Sequence, residues 1–138
     1  MYKKVCIFAG NMNKFNMKHY PLSVIVILAI CYLSFFTPPK TDMGEIPNFD
    51  KVVHICMYGG LTVVIWFEYL RRNTGIRWRH IALIGIALPV LMSGIIEILQ
   101  ATCTPNRSGD WLDFAANCTG VVLGCLFSRY VTHPFLKR

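Results

Sequence analysis

Polar residues able to do chemistry fall into three groups, each at helical spacing in an apolar setting. Asp50, His54 and Tyr58 stand at i, i+4 and i+8, with Lys51 beside the first. Ser93, Glu97 and Gln100 form the second group. Asp113, Asn117, Gly120 and Gly124 form the third, and Arg107 lies between the two. Residues three or four apart share one face of a helix, so each group is a stripe. Asp50, Glu97 and Asp113 with His54 could exchange protons, or bind a divalent cation through oxygen and imidazole. Lys51 and Arg107 could hold a phosphate or carboxylate, the arginine in bidentate fashion. A serine-nucleophile motif such as G-x-S-x-G is absent, and Ser93 has no base adjacent in sequence. The spacing Asp50-x-x-x-His54 is common by chance, so no metal and no cofactor is assigned.

The surroundings of these stripes are those of a membrane protein. Of 138 residues, 54% are hydrophobic and 15% charged, with a mean hydropathy of +0.46. A soluble domain carries about 25% charged residues. The length allows one domain. The six cysteines (Cys6, Cys31, Cys56, Cys103, Cys118, Cys125) show no C-x-x-C or other ligand spacing. Four of them sit in apolar runs, where a thiol behaves as a small hydrophobe. They indicate neither a disulfide framework nor a metal site. The centre of the chain is the stretch 93–124: the end of one apolar helix, a short polar connection and the start of another.

Four apolar runs can position the stripes. Residues 1–19 are basic, with Lys3, Lys4, Lys14 and Lys18, and Met1, Met12 and Met17 are all compatible starts. The run 20–37 has no charge over 18 residues, just enough against the ~20 a helix needs to cross hydrocarbon. A basic head before an apolar run also fits a cleaved signal peptide. The run ends without a small-x-small site, so a retained helix ended by Pro38 and Pro39 is expected. The second run, 51–70, carries His54 near its start and Glu68 near its end. The 71–80 loop holds Arg71, Arg72, Arg77 and Arg79 and no acid. The third run, 81–99, contains Pro89, which a membrane helix tolerates as a kink. The fourth, 111–131, has an uncharged middle at 114–128, with Asp113 and Arg129 at the interfaces and Trp111 and Tyr130 as anchors.

Charge placement predicts the orientation. Four spans put the N-terminus, the 71–80 loop and the C-terminus on one side, together with 11 of the 14 lysines and arginines. The other side holds only Lys40, Lys51 and Arg107, and all acids except Glu68 lie in or near that half. Basic residues accumulate on the cytoplasmic side, so both termini are expected inside. The net charge of +7 is then topogenic and calls for no nucleic acid. The expected fold class is an all-α membrane protein with four transmembrane helices. Residues 1–19 form a basic cytoplasmic segment, 20–131 the transmembrane domain and 132–138 a basic cytoplasmic tail. In that topology the three stripes and Arg107 meet at one depth, at the outer face.

The ordered set Asp50-Lys51-x-x-His54-x-x-x-Tyr58, Glu97-x-x-Gln100, Arg107 and Asp113-x-x-x-Asn117-x-x-Gly120-x-x-x-Gly124 resembles the VanZ-like membrane proteins. The resemblance covers roughly residues 22–130, with no motif position missing. That family is named for an accessory protein associated with resistance to teicoplanin, a glycopeptide bearing a fatty chain. The resemblance implies a multi-pass protein of the bacterial inner (cytoplasmic) membrane. It implies motif positions at Asp50, Lys51, His54, Glu97, Gln100, Arg107, Asp113 and Asn117, and leaves the reaction open.

Each residue also has a plainer reading. Gly120 and Gly124 read as a close helix contact, Tyr58 equally as an interfacial aromatic, and Asp110 as a solvated residue or the cap of the fourth run. Glu68, next to Arg71 and Arg72, reads as an ion pair at the inner interface. Arg107, a short connection beyond Glu97, is expected to fold back and pair with it. His54, Glu97 and Asn117 could merely lock three helices together. Interhelical hydrogen bonds in membranes contribute only about 0.6 kcal/mol on average, whereas a charge at mid-bilayer costs about 2.5–3.5 kcal/mol. Structural glue is therefore a weak reason for so many ionisable groups. Two function classes remain. One is binding or modification of an anionic envelope lipid or lipid-linked peptidoglycan precursor; the other is a non-enzymatic accessory or assembly subunit.

Overall fold

The computed structural model describes residues 17–36, 47–103 and 109–138. Among these there are four main helices and no strand. A 3₁₀ turn at Met17–His19 leads into α1 (Pro21–Phe35), followed by α2 (Phe49–Arg72), α3 (Trp78–Cys103) and α4 (Trp111–Leu136). Helices α2, α3 and α4, of 24, 26 and 26 residues, are long and apolar enough to cross a membrane. Their ~36–39 Å exceeds the ~30 Å of hydrocarbon. Helix α1 has 15 residues, about 22 Å. The first expected span is thus a shorter apolar helix, and Pro38 and Pro39, expected to end it, lie outside the described residues.

The bundle is apolar outside as well as within, and its interior also takes small polar residues. Thr62, Ser93 and Ser128 are completely buried, while Leu28, Leu91 and Ile98 each expose more than 60% of their surface. Apolar side chains facing outward suit lipid, and small polar residues inside let backbones approach. The stripe His54, Tyr58, Leu61, Thr62, Ile65, Trp66 and Tyr69 is the buried face of α2, at the spacing that lines one side of a helix.

Helices α2 and α4 run parallel and touch backbone to backbone. A Cβ on Gly120 would overlap the carbonyl oxygen of Ile55, and one on Gly124 would lie 2.7 Å from Gly59 O and 2.9 Å from Thr62 Cβ. Gly59 completes the contact from α2, where a Cβ would stand 3.2 Å from Gly120 O. Both prolines within helices are preceded by a widened turn. The residue before Pro89, Leu88, donates its N–H five residues back to Leu83 O, and His133, before Pro134, donates to Ser128 O. Proline has no N–H, and its ring presses on the carbonyl four residues back. A π turn makes room for it. The expected irregularity at Pro89 takes this form.

One end of the bundle gathers the basic residues. Arg72 Nη1 donates to His19 Nδ1 at 2.8 Å, Lys137 Nζ to Asn73 O at 2.8 Å, and Arg129 stacks over the Trp78 ring at 5.2 Å. The Tyr69 hydroxyl pins the 73–77 loop, accepting from Arg77 N at 2.9 Å and donating to Gly75 O at 3.3 Å. Glu68 differs from the ion pair expected of it. Its carboxylate caps α1, accepting from Leu22 N (2.8 Å), Ser23 N (3.0 Å) and Ser23 Oγ (2.6 Å). The first N–H groups of a helix have no partner within it, and α1 starts at Pro21 without a side-chain cap of its own. The N–H groups at the start of α1, which have no partner within the helix, therefore hold Glu68 in place of the arginines, while Arg71 lies over Phe67 and Arg72 turns to His19.

Candidate functional site

The opposite end of the bundle holds the first turns of α2 and α4 and the last turns of α3. It is assembled around Asn117, which is buried on α4. Its Nδ2 donates to Ser93 Oγ on α3 at 2.8 Å, so its Oδ1 is left to face His54 Nδ1 on α2 at 2.9 Å. An amide oxygen only accepts, so Nδ1 carries the proton. Nε2 of His54 then points at two carboxylates, Asp50 Oδ1 at 3.9 Å and Asp113 Oδ2 at 4.0 Å. Asp50 and His54 share their face of α2 at i, i+4, and Asp113 reaches the same point from the first turn of α4.

Lys51 closes the exposed flank. Its ammonium lies 3.6 Å from Asp113 Oδ1 and 3.9 Å from Asp110 Oδ2. Asp110 also caps α4, its Oδ1 accepting from Leu112 N at 2.9 Å. Such a cap typically contributes about 1 kcal/mol. Of the two plain readings of Asp110, the structure selects the cap. The Asp110 N–H in turn donates to Glu97 Oε2 at 3.2 Å, tying the end of α3 to the start of α4. Gly109 permits this approach: a Cβ there would overlap the carbonyl oxygen of Glu97. The other oxygen of Glu97, Oε1, is buried with no hydrogen-bond partner among the described residues.

The sequence-predicted residues divide accordingly. Asp50, Lys51, His54, Glu97, Asp113 and Asn117 converge. Tyr58 is buried one turn deeper, and its hydroxyl has no hydrogen bond of ordinary geometry among the described residues. Gln100 is turned away from the cluster, donating through Nε2 to Ser34 O of α1 at 2.7 Å. It ties α3 to α1. Arg107 and its expected pairing with Glu97 lie outside the described residues. Gly120 and Gly124 sit below the cluster, in the contact that holds α2 against α4.

Two contributors were assigned nothing from the sequence. Gly59 could have been suspected from the Gly59-Gly60 pair inside an apolar run, and Gly109 from its place directly before a capping aspartate. Ser93 was placed on the correct stripe, but its role as the acceptor that orients Asn117 needs the crossing of α3 and α4 to be known.

The arrangement can hold an anion at Lys51, exchange a proton at His54 Nε2, or bind a cation among the carboxylates. Residues 9–132 match the family model described as VanZ/LLP1, a range that takes in α1 to α3 and nearly all of α4. No curated protein and no solved structure matches the chain.

Proposed function

This chain belongs to the VanZ/LLP1 family, and from that premise we propose that its polar cluster binds the anionic headgroup of a cell-envelope lipid or lipid-linked peptidoglycan precursor. The protein is multi-pass in the bacterial cytoplasmic membrane, with the cluster at the outer face and both termini inside. The observation that carries the reading is the position of Lys51. It is a third exposed, at the mouth of a buried polar network, with Asp110 and Asp113 beside it. A cation held at the rim by Asp110 and Asp113 can exchange those carboxylates for a phosphate at headgroup depth. Around it, His54 and Glu97 are buried ionisable groups, which in a membrane mark function more often than packing. Altered handling of envelope precursors is also the route by which the protein would be linked to survival in teicoplanin.

The relay Ser93–Asn117–His54 favours a second reading, since it joins three helices and would serve an accessory subunit with no ligand. Single substitutions separate the two. Lys51→Gln and Glu97→Gln should abolish growth in teicoplanin while the amount of protein in the membrane stays unchanged. A fall in protein level that tracks the loss of growth would reduce the cluster to a helix lock.

A further inference from the structure

We propose that Asp50, His54 and Asp113 form a site for a divalent cation of the zinc or manganese type. The case begins with His54, whose side chain belongs to a residue only 9% exposed. Asn117 holds its Nδ1–H, so in the neutral imidazole the lone pair is on Nε2, and that atom makes no hydrogen bond among the described residues. A histidine that ligates a metal almost always donates its other N–H to a fixed acceptor, which sets tautomer and ring orientation. Asn117 is such an acceptor, itself fixed by Ser93.

The distances suit an intervening ion better than direct contact. Nε2 lies 3.9 Å from Asp50 Oδ1 and 4.0 Å from Asp113 Oδ2, well beyond the ~2.7–3.2 Å of a hydrogen bond. Two metal–ligand bonds of about 2.1 Å, opened between tetrahedral and wider angles, separate their ligand atoms by about 3.4–4 Å. All three ligand atoms lie within 4.8 Å of one another. Asp50, the most exposed of the three, is free to close the remaining gap. One imidazole with two carboxylates favours zinc, manganese or iron over magnesium or calcium, which prefer all-oxygen sets.

A second observation that points to a cation comes from beside the three ligands. Glu97, also only 9% exposed, keeps Oε1 without a hydrogen bond among the described residues. Asp113 Oδ1 is likewise buried without a hydrogen bond, with the Lys51 ammonium beside it at 3.6 Å. The carboxylates of Asp50 and Asp113 both lie about His54 Nε2, and of the two only Asp113 is within 4 Å of the Lys51 ammonium. A bound divalent ion would offset the carboxylate charge that Lys51 leaves unpaired.

Chelator-stripped full-length protein in detergent micelles should be titrated with Zn2+ by calorimetry, and with Co2+ to read its ligand-field absorption. One ion per chain is expected. His54→Gln and Asp113→Asn should each weaken binding at least ~100-fold, and Asn117→Leu about 10–100-fold, the range for partners behind the ligands. Removal of a competing charge by Lys51→Met should strengthen it. Should the buried variants fail to fold, Asp50→Asn at the exposed ligand must still weaken Zn2+ binding. Absence of saturable binding, or binding unchanged in Asp50→Asn and His54→Gln, would overturn the site. The titration reads metal and not lipid, so its failure would leave the headgroup reading standing, and the converse holds too.

Discussion

His54 on α2 and Asn117 on α4 are joined by a 2.9 Å hydrogen bond between Nδ1 and Oδ1, and the same amide is held by Ser93 of α3 at 2.8 Å. Both ends of one buried amide are therefore satisfied by different helices. The pair fixes which nitrogen of His54 faces the carboxylates, and it ties the chemistry of the site to the packing of the bundle.

Replacing Asn117 by leucine leaves the Nδ1–H of His54 and the hydroxyl of Ser93 without partners in a buried place. An unsatisfied buried polar group costs about 1–3 kcal/mol. Thermal unfolding in detergent should show a clear loss for Asn117→Leu and a smaller one for Ser93→Ala, which breaks a single bond. Equal melting temperatures for the parent and Asn117→Leu would mean that the bridge contributes no stability.

The glycine contact predicts a graded series. Gly120→Ala and Gly124→Ala force a methyl into the backbone or side chains of α2, and overpacking costs about 1–3 kcal/mol. Gly60, on the same helix, has open space where its Cβ would be. Gly60→Ala should be neutral or stabilising, by up to about 1 kcal/mol, because glycine is a poor helix former. The yield of folded, monodisperse protein checks the order, which should be Gly60→Ala above parent and parent above Gly120→Ala.

Much of this was legible in the sequence because helical spacing and apolar runs fix which residues share a face and an end. The boundaries at Trp111 and near residues 51 and 70, and the convergence of Asp50, His54, Glu97, Asp113 and Asn117, follow from those patterns alone. Three features did not follow. Gln100 follows Glu97 by three residues where Ser93 precedes it by four, and that difference in rotation carries it to α1. Glu68 lies beside two arginines in sequence, but sequence does not reveal that the unpaired start of α1 lies across from it. Gly59 acquires meaning only once α2 and α4 are known to run parallel and in contact.

Glu68 gives a prediction at the basic end. Glu68→Leu removes the acceptor for two backbone N–H groups and one hydroxyl of α1, at about 1–3 kcal/mol for the exposed donors. Helix α1 should loosen first. Limited proteolysis should cut between residues 17 and 36 sooner than in the parent, with Ser23→Ala milder. An unchanged cleavage pattern would show that α1 is held by its apolar face alone.

The proposed orientation rests on the gathering of His19, Arg72, Arg129 and Lys137 at one end. In a cysteine-free background, Thr74→Cys should be inaccessible to an impermeant thiol reagent in intact cells, and Pro47→Cys should react. Labelling of position 74 from outside would invert the topology and put the cluster in the cytoplasm.

The central claim, that the cluster holds an anionic lipid headgroup, is tested most directly by mass spectrometry of the lipids retained by the purified protein. The parent should retain an anionic, phosphate-bearing envelope lipid or precursor above its abundance in the membrane. Lys51→Gln, alone and with Arg107→Gln, should lose that enrichment while neutral lipids stay constant. Enrichment that is absent in the parent, or undiminished in the double variant, would contradict the account.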